Sequence, residues 1–580
     1  MVCRFFEKGI LWPKGFKINK KEAYSMRKHK NLVALVLACA MLLSFAAVAG
    51  AEEGSYYNTE GYPICNEVVD VTLSGPLPSG LEDWTKVVMI ENFKNELGIN
   101  LTCNFYNAED WQTQLTLMIA SDELTDIVGN AGMNMLDANE WGAEGYLVNF
   151  NEYRDMTPNM NKYLEQYPAA EAYMTAADGG IYAIPKIALD ETDRFSRTFI
   201  NKKWLANVGM EVPKTMDELY EVLKAFKEQD ANGNGDPNDE IPFLYAAGYE
   251  AVERVLMSAY GIHTSEINYL LQADADGKVY LANTTDAYKE YMKWMARAYS
   301  EGLIEQEAFV VEATTISDRA GKDQYGFYGC GSAPYVVAIQ DISYDAENFV
   351  GVAALTSELN ETPTAGLASP ISENGVVAIS TTSPYKEALV RMVDYMYTDE
   401  GELAGTFGKD GQTFDWQHND ILDVDVPKMR VFDDCASGEE TRYKYGTLNG
   451  TVALIEWNND RRALFTAPIE DVQSDEILNE YGWAALVALA VREDGIQQVD
   501  CFPKLSYTAE EANERATLRA DLENYLRQAK AQFMTGEIDV EEGWDNFVNT
   551  VNGMGLERLI EIEQAAYDRY QEVLGAGAEA

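Results

Sequence analysis

Histidine is almost missing from this 580-residue chain: only His29, His263 and His418 occur. So few imidazoles argue against His-based metal centres and against triads that need a histidine base. Basic residues are scarce too. Lys and Arg number 45 against 95 Asp and Glu, a net charge of −50. Such a chain cannot replace the counterions condensed on a phosphate backbone, so no nucleic-acid partner is expected. The signatures GxxxxGK[ST], GxSxG, HExxH and CxxC do not occur. Paired carboxylates of the glycosidase kind remain open, because so many acids always offer some pair. The chain is not short of apolar residues, at 47% with 11% aromatic, which is too rich for disorder and enough to bury large cores. At ~150 residues per domain, the length corresponds to about four domain equivalents, or to fewer and larger lobes.

Only one apolar run nears the ~20 residues that span a bilayer. It follows Met26, where Arg27, Lys28 and Lys30 precede an uncharged stretch from Leu32 to Ala51 that closes on Ala49-Gly50-Ala51. That pattern reads as a signal peptide with its true start at Met26 and cleavage near Ala51. A retained anchor, or a lipid anchor at Cys39, is the alternative. Removing 1–51 takes away nine basic and two acidic residues and leaves 36 against 93, a charge of −57. Cys65, Cys103, Cys330, Cys435 and Cys501 remain. An odd, irregularly spaced set permits at most two disulfides and dictates no framework.

From Val69 the pattern alternates. Val69, Val71 and Leu73 read as a strand, Trp84 to Leu97 as a helix, and Leu101, Cys103 and Phe105 as a second strand. Trp111 to Ala120 is again helical, and Thr125 to Gly129 is a short buried strand. This order predicts βαβ units and a parallel sheet, an α/β protein whose ligand sits beyond the strands' carboxyl ends, near Gly129 to Asn134. Thr215 with Glu218, and Thr508 with Glu511, have capping-box spacing. The region from Thr508 is mostly helical, with Leu518, Leu522, Tyr525, Leu526, Ala529 and Phe533 on one face and Gly536 as the stop.

The sharpest local motif runs from Asp230 to Glu240. Asp230, Asn232 and Asn234 occupy positions 1, 3 and 5 of an EF-hand-like loop, Gly235 position 6 and Asp236 position 7. Such spacing points oxygens inward and suits a hard cation, Ca²⁺. Position 12 is Ile241 rather than Glu, so closure has to come from Asn238, Asp239 or Glu240, with Asp239 and Glu240 the expected closing carboxylates. A solvated turn rich in Asn, Asp and Gly is the plain alternative. Asp274-Ala-Asp276-Gly277 reads as a hairpin turn, and His263 and His418 as packing or surface residues. Flat rings suit stacking on sugar faces. Trp84, Trp111, Trp416, Trp457 and Trp483 are candidates, although core packing is the better reading for each alone.

Several segments taken in order resemble the extracellular solute-binding proteins of ABC importers, especially the large sugar-binding type of Gram-positive bacteria. They are Leu115 to Asp122 leading into Thr125-Asp126-Ile127, Asp178 to Pro185, Phe199 to Leu205, and Val212 to Tyr220. Asp230 to Pro242 resembles the calcium loop of oligosaccharide binders, with Asp239-Glu240 one residue later than in its commonest version. Glu301 to Ile304, Phe533 to Glu537, Trp544 and Asp568 to Tyr570 extend the resemblance across residues 64–572. It implies a two-lobed, periplasmic-binding-protein-like (type II) α/β fold with a hinge between the lobes and a helical C-terminal region. Lobe one is expected at 52–188 plus 346–430, and lobe two at 189–345 plus 431–580. The implied function is non-catalytic: a secreted monomer captures a carbohydrate and hands it to the transmembrane subunits of an ABC permease. A secreted glycoside hydrolase and a peptide binder of the same fold are the rivals. By strand-end logic Asn130 and Asp190 are the expected hydroxyl partners, with Trp84 and Trp416 as stacking platforms.

Overall fold

The computed structural model describes residues 56–78, 80–130, 132–187, 194–246, 250–329, 347–447, 454 and 459–579. The expected signal peptide, Asp190, Cys330 and Trp457 lie outside them. The chain divides into two compact units, Met1–Gly61 and Tyr62–Ala580. In the first, the rings of Tyr56 and Tyr57 lie 5.1 Å apart. Every element below belongs to the second.

The first sheet begins with β1 (Val69–Pro76) and β2 (Ile99–Tyr106), which run parallel from Val69 opposite Ile99 to Pro76 opposite Tyr106. Its other early strands are β3 (Ile127–Val128) and β4 (Ile184–Ile187). The strand order is β2-β1-β3-β12-β4, in which β12 (Ile371–Ile379) returns from far along the chain and pairs antiparallel with both neighbours. Burial alternates along β1 as its apolar period demands, with Val69, Val71 and Leu73 inside.

The stretch expected as one helix, Trp84 to Leu97, is instead three short turns: 3₁₀ at Trp84–Lys86, α at Val88–Asn92 and π at Phe93–Leu97. The Asp83 carboxylate caps the first turn at Thr85 N, and Val87 is extended, so the second turn starts afresh. β-Branched Thr85, Val87 and Val88 make continuous helix unfavourable at that junction. Apolar spacing survives the break, since Met89, Ile90, Phe93 and Leu97 are all buried.

A second sheet is built from β5 (Thr198–Asn201) and β6 (Ile241–Phe243), with β9 (Tyr325–Gly329) and β10 (Phe349–Gly351), in the order β10-β5-β9-β6. Val350 pairs with Ile200 and Phe349 with Asn201, so 349–351, inside the segment 346–430 expected in lobe one, lie in the second sheet. The remaining strands are two-stranded: the hairpin β7 (Leu271–Ala273) with β8 (Val279–Leu281), the parallel pair β11 (Thr364–Leu367) with β15 (Gln497–Asp500), and the hairpin β13 (Phe414–Asn419) with β14 (Val424–Met429).

Three helices end the chain, at Ala509–Thr535, Val540–Gly553 and Leu556–Glu579. The first opens on a complete Thr508–Glu511 capping box and stops at left-handed Gly536. Thr215 also caps its helix, but the Glu218 side chain accepts from Lys214 N rather than closing the expected box. Leu522, Leu526, Ala529 and Phe533 enter the core that also holds Trp204, Phe226 and Tyr291 behind the second sheet. The last helix reaches the other way: Ala566 and Tyr570 pack with Ala172 of the helix Pro168–Met174. No described helix is long and apolar enough to cross a membrane. Cys65, Cys103, Cys435 and Cys501 are free thiols.

Candidate ligand cleft and cation loop

The carboxyl ends of β1 and β3 meet tightly. A Cβ on Gly75 would lie 2.4 Å from Gly129 O, so only glycine admits this approach. Asn130 follows in the left-handed region (φ 58) and donates from Nδ2 to Pro76 O at 2.6 Å. Asn tolerates that backbone because its short polar side chain can bond locally. The side-chain carbonyl of Asn130 accepts no hydrogen bond from the described residues, which leaves it able to receive a hydroxyl. Asp126 braces the strand below: it accepts from Thr72 N (2.8 Å) and Oγ1 (2.6 Å), and from Ser383 Oγ (2.7 Å). Asn130 therefore stands where strand-end reasoning places a ligand.

The tryptophans separate. Trp84 is half-buried, on the segment leaving the carboxyl end of β1. That segment packs on the turn Arg442–Gly446, with Lys444 Nζ 3.2 Å from Glu82. Trp416 lies in the β13–β14 hairpin opposite Pro427, 42% exposed, with its ring edge-on to Phe414 at 5.7 Å. Trp111 is buried and donates its indole N–H to Gly132 O, a packing role. Trp483 packs against two cores, with the Arg197 guanidinium 3.9 Å above its ring. His263 is half-buried, with Nε2 2.8 Å from Thr364 Oγ1, while exposed His418 lies 2.9 Å from Asp425.

The loop 230–240 is held by its own side chains. Asp230 accepts from Gly235 N (2.9 Å), Asn232 from Asn234 N (3.0 Å), and Asn234 from Asp236 N (2.7 Å). Asp236 accepts from Asn238 N (3.2 Å), and Glu240 from Ala231 N (3.0 Å). Gly233 and Gly235 take positive φ, as the tight curl requires. The Asp239 carboxylate is ringed by amide donors, Asn232 Nδ2 at 3.1 Å and Asn234 Nδ2 at 2.9 Å. Two carboxylate oxygens, Asp230 Oδ1 and Glu240 Oε2, are buried without a hydrogen-bond partner. Orphaned buried oxygens are costly unless a cation faces them, so the donor set fits a hard metal. Burial, with the Asp239 charge added, pushes the Glu240 carboxyl up. Acids alone do not make the site: among the described residues no three His, Cys, Asp or Glu cluster as ligands. A cation here would also need the Asn232 and Asn234 carbonyl oxygens.

Between the sheets the chain crosses through segments that touch. Ala368 N donates to Arg194 O (3.0 Å), Cys501 N to Leu367 O (2.9 Å), and Ile187 N to Leu454 O (2.8 Å). Beside them lies a cavity of about 520 Å³, lined among others by Arg194, His263, Ser369, Phe502, Tyr567 and Tyr570. No sequence motif marked it, because its walls come from six separate stretches of chain. Neither Asn130, Trp84 nor Trp416 lines it.

Two α/β sheets bridged by hydrogen-bonded crossings, with a candidate cleft at the strand ends, define a two-lobed solute-binding fold. The sequence profile of the bacterial extracellular solute-binding proteins matches residues 78–403, and the chain belongs to that family. It is similar to the fructooligosaccharide ABC transporter substrate-binding protein FusA of Streptococcus pneumoniae serotype 4, 26% identical over 552 residues, 92% of this chain and 97% of that one. The structure of S. pneumoniae FusA in complex with kestose superimposes with a TM-score of 0.62 at 23% identity, covering 87% of this chain and all of that one. An extracellular solute-binding protein from Bifidobacterium longum subsp. infantis gives 0.67 at 21% identity, covering 86% and 98%. These structures share the fold.

Proposed function

We propose that the protein captures a carbohydrate, specifically an oligosaccharide, between its lobes and delivers it to an ABC permease without transforming it. The observation that carries this reading is the end-to-end similarity to FusA, described as a fructooligosaccharide binder and solved with kestose. Asn130 offers a carbonyl to a sugar hydroxyl, and half-buried Trp84 and exposed Trp416 are the stacking platforms. Asp190 remains the expected second hydroxyl partner. The lobes divide by sheet membership, so that 349–351 goes with β5 and β9. Export after cleavage near Ala51 places the protein outside the cell as a monomer. The loop 230–240 binds Ca²⁺ for structure: Asp230, Asn232, Asn234 and Asp236 lie where an EF-hand supplies ligands, and Asp239 and Glu240 close it. A FusA EF-hand mutant, solved with fructo-nystose, lends this support.

Calorimetry of the exported chain against fructooligosaccharides, other glycans and peptides, with small-angle scattering for compaction, tests the proposal. Binding and closure on a sugar without product release is the expected result. Steady turnover assigns an enzyme instead, and tight binding of peptides alone assigns a peptide carrier.

A further inference from the structure

The donors around Asp239 differ in origin. Asn232 and Asn234 belong to the loop itself, whereas Gln324 comes from 85 residues away, at the entry to β9. Its Nε2 lies 3.1 Å from Asp239 Oδ2 and 3.2 Å from Asp239 O. Its backbone carbonyl accepts from Ile241 N at 2.8 Å, just past the loop's last acid. The residue before it, Asp323, is held in the left-handed region (φ 56) and accepts from Asn201 Nδ2 (3.0 Å) and Trp204 Nε1 (3.3 Å). Gln324 is thus fixed from the β5 side while it grips the loop at both side chain and backbone.

Asp239 must do unusual duty here, because Ile241 stands where an EF-hand has its closing glutamate. A carboxylate that closes a site early in the loop needs its direction set from outside. For a cation to take the loop oxygens, the Asn232 and Asn234 side chains, which donate to Asp239, would have to present their carbonyl oxygens to it. Gln324, outside the ring, has no such conflict. We infer that Gln324 is the positioning residue of the cation loop: its amide holds the Asp239 carboxylate aimed at the ion, coupling the loop to the amino end of β9. This rests on the calcium reading above. Outer-shell partners of this kind typically set 10–100-fold in metal affinity.

The test is calcium titration calorimetry on chelator-stripped full chain, with melting measured in EDTA and in calcium. Gln324→Met should weaken calcium binding about tenfold or more while leaving the melting temperature in EDTA unchanged. In an Asp239→Ala background the same substitution should cost nothing further, because the carboxylate it orients is gone. Wild-type affinity in Gln324→Met, an equal loss of melting temperature with and without calcium, or additive losses in the double variant would each overturn the inference alone. A wild type that binds no calcium overturns the calcium reading and the inference together.

Discussion

Lys530 Nζ lies 2.8 Å from Glu253 Oε1, and the two side chains are 6% and 0% exposed. The carboxylate also accepts from Tyr245 OH (2.7 Å) and Tyr291 OH (2.8 Å), and Lys530 reaches Ile267 O (3.2 Å). One fully satisfied pair thus fastens the helix Ala509–Thr535 to the short helix Glu253–Ser258. Removing one partner strands a buried charge. Lys530→Met should destabilise the protein by about 3–5 kcal/mol in urea unfolding, and adding Glu253→Gln should recover part of that loss.

Calcium should raise stability through the loop. A site present only in the folded chain contributes RT ln(1 + [Ca]/Kd), about 2.7 kcal/mol at a hundredfold excess. EDTA should therefore lower the wild-type melting temperature, and should hardly change that of Asp230→Ala. Unchanged wild-type melting, with no calcium found by elemental analysis, would leave the loop a plain turn.

At the strand ends, backbone and side-chain roles of Asn130 can be separated. Asn130→Gly keeps the left-handed backbone and deletes the amide, so sugar affinity should fall about tenfold, the worth of roughly one hydrogen bond, with little change in melting. Asn130→Val should lose affinity and also stability, since a β-branched residue is strained at positive φ. Calorimetry and thermal melts on both variants check the split.

Glu402 gives the pH signature. Burial pushes its carboxyl up to about 7, against the opposing pull of Arg462; Arg462 stands 3.9 Å away and Glu402 Oε1 has no hydrogen-bond partner. The folded state then holds this proton over a range where the unfolded chain has released it. Its contribution is full below the ordinary glutamate value and is lost as pH rises toward 7, on the order of 3 kcal/mol in all. Melting of wild type relative to Glu402→Gln should fall between pH 5 and 7 and then level off. A flat difference would show that Glu402 is ionised in the fold throughout.

Legibility in the sequence followed the distance between partners. The Thr508–Glu511 box, the β7–β8 turn in which Asp274 accepts from Asp276 N and Lys278 N, and the ring of Asx contacts in the cation loop all join residues a few positions apart. Residue type and spacing suffice for those. The pairing of Phe349 with Asn201, the bond of Gln324 to Asp239, and the brace from Asp126 to Thr72 and Ser383 join residues tens to hundreds apart, and no local period encodes them. Tryptophan was the least readable: Trp111 and Trp84 look alike in sequence, yet one is buried on Gly132 and the other is only half-buried. The left-handed backbone of Asn130 was not legible either, because it depends on the close approach of the β1 and β3 ends.

The crossings act mechanically as a laminate. Because Arg194 is bonded to Ala368, and Leu367 in turn to Cys501, neighbouring plies cannot slide past one another without giving up backbone hydrogen bonds. A bonded stack yields by flexing about the line across its plies and resists shear and torsion. Closure of the proposed kind would thereby be narrowed toward one angular coordinate, as a leaf spring narrows the travel of an axle.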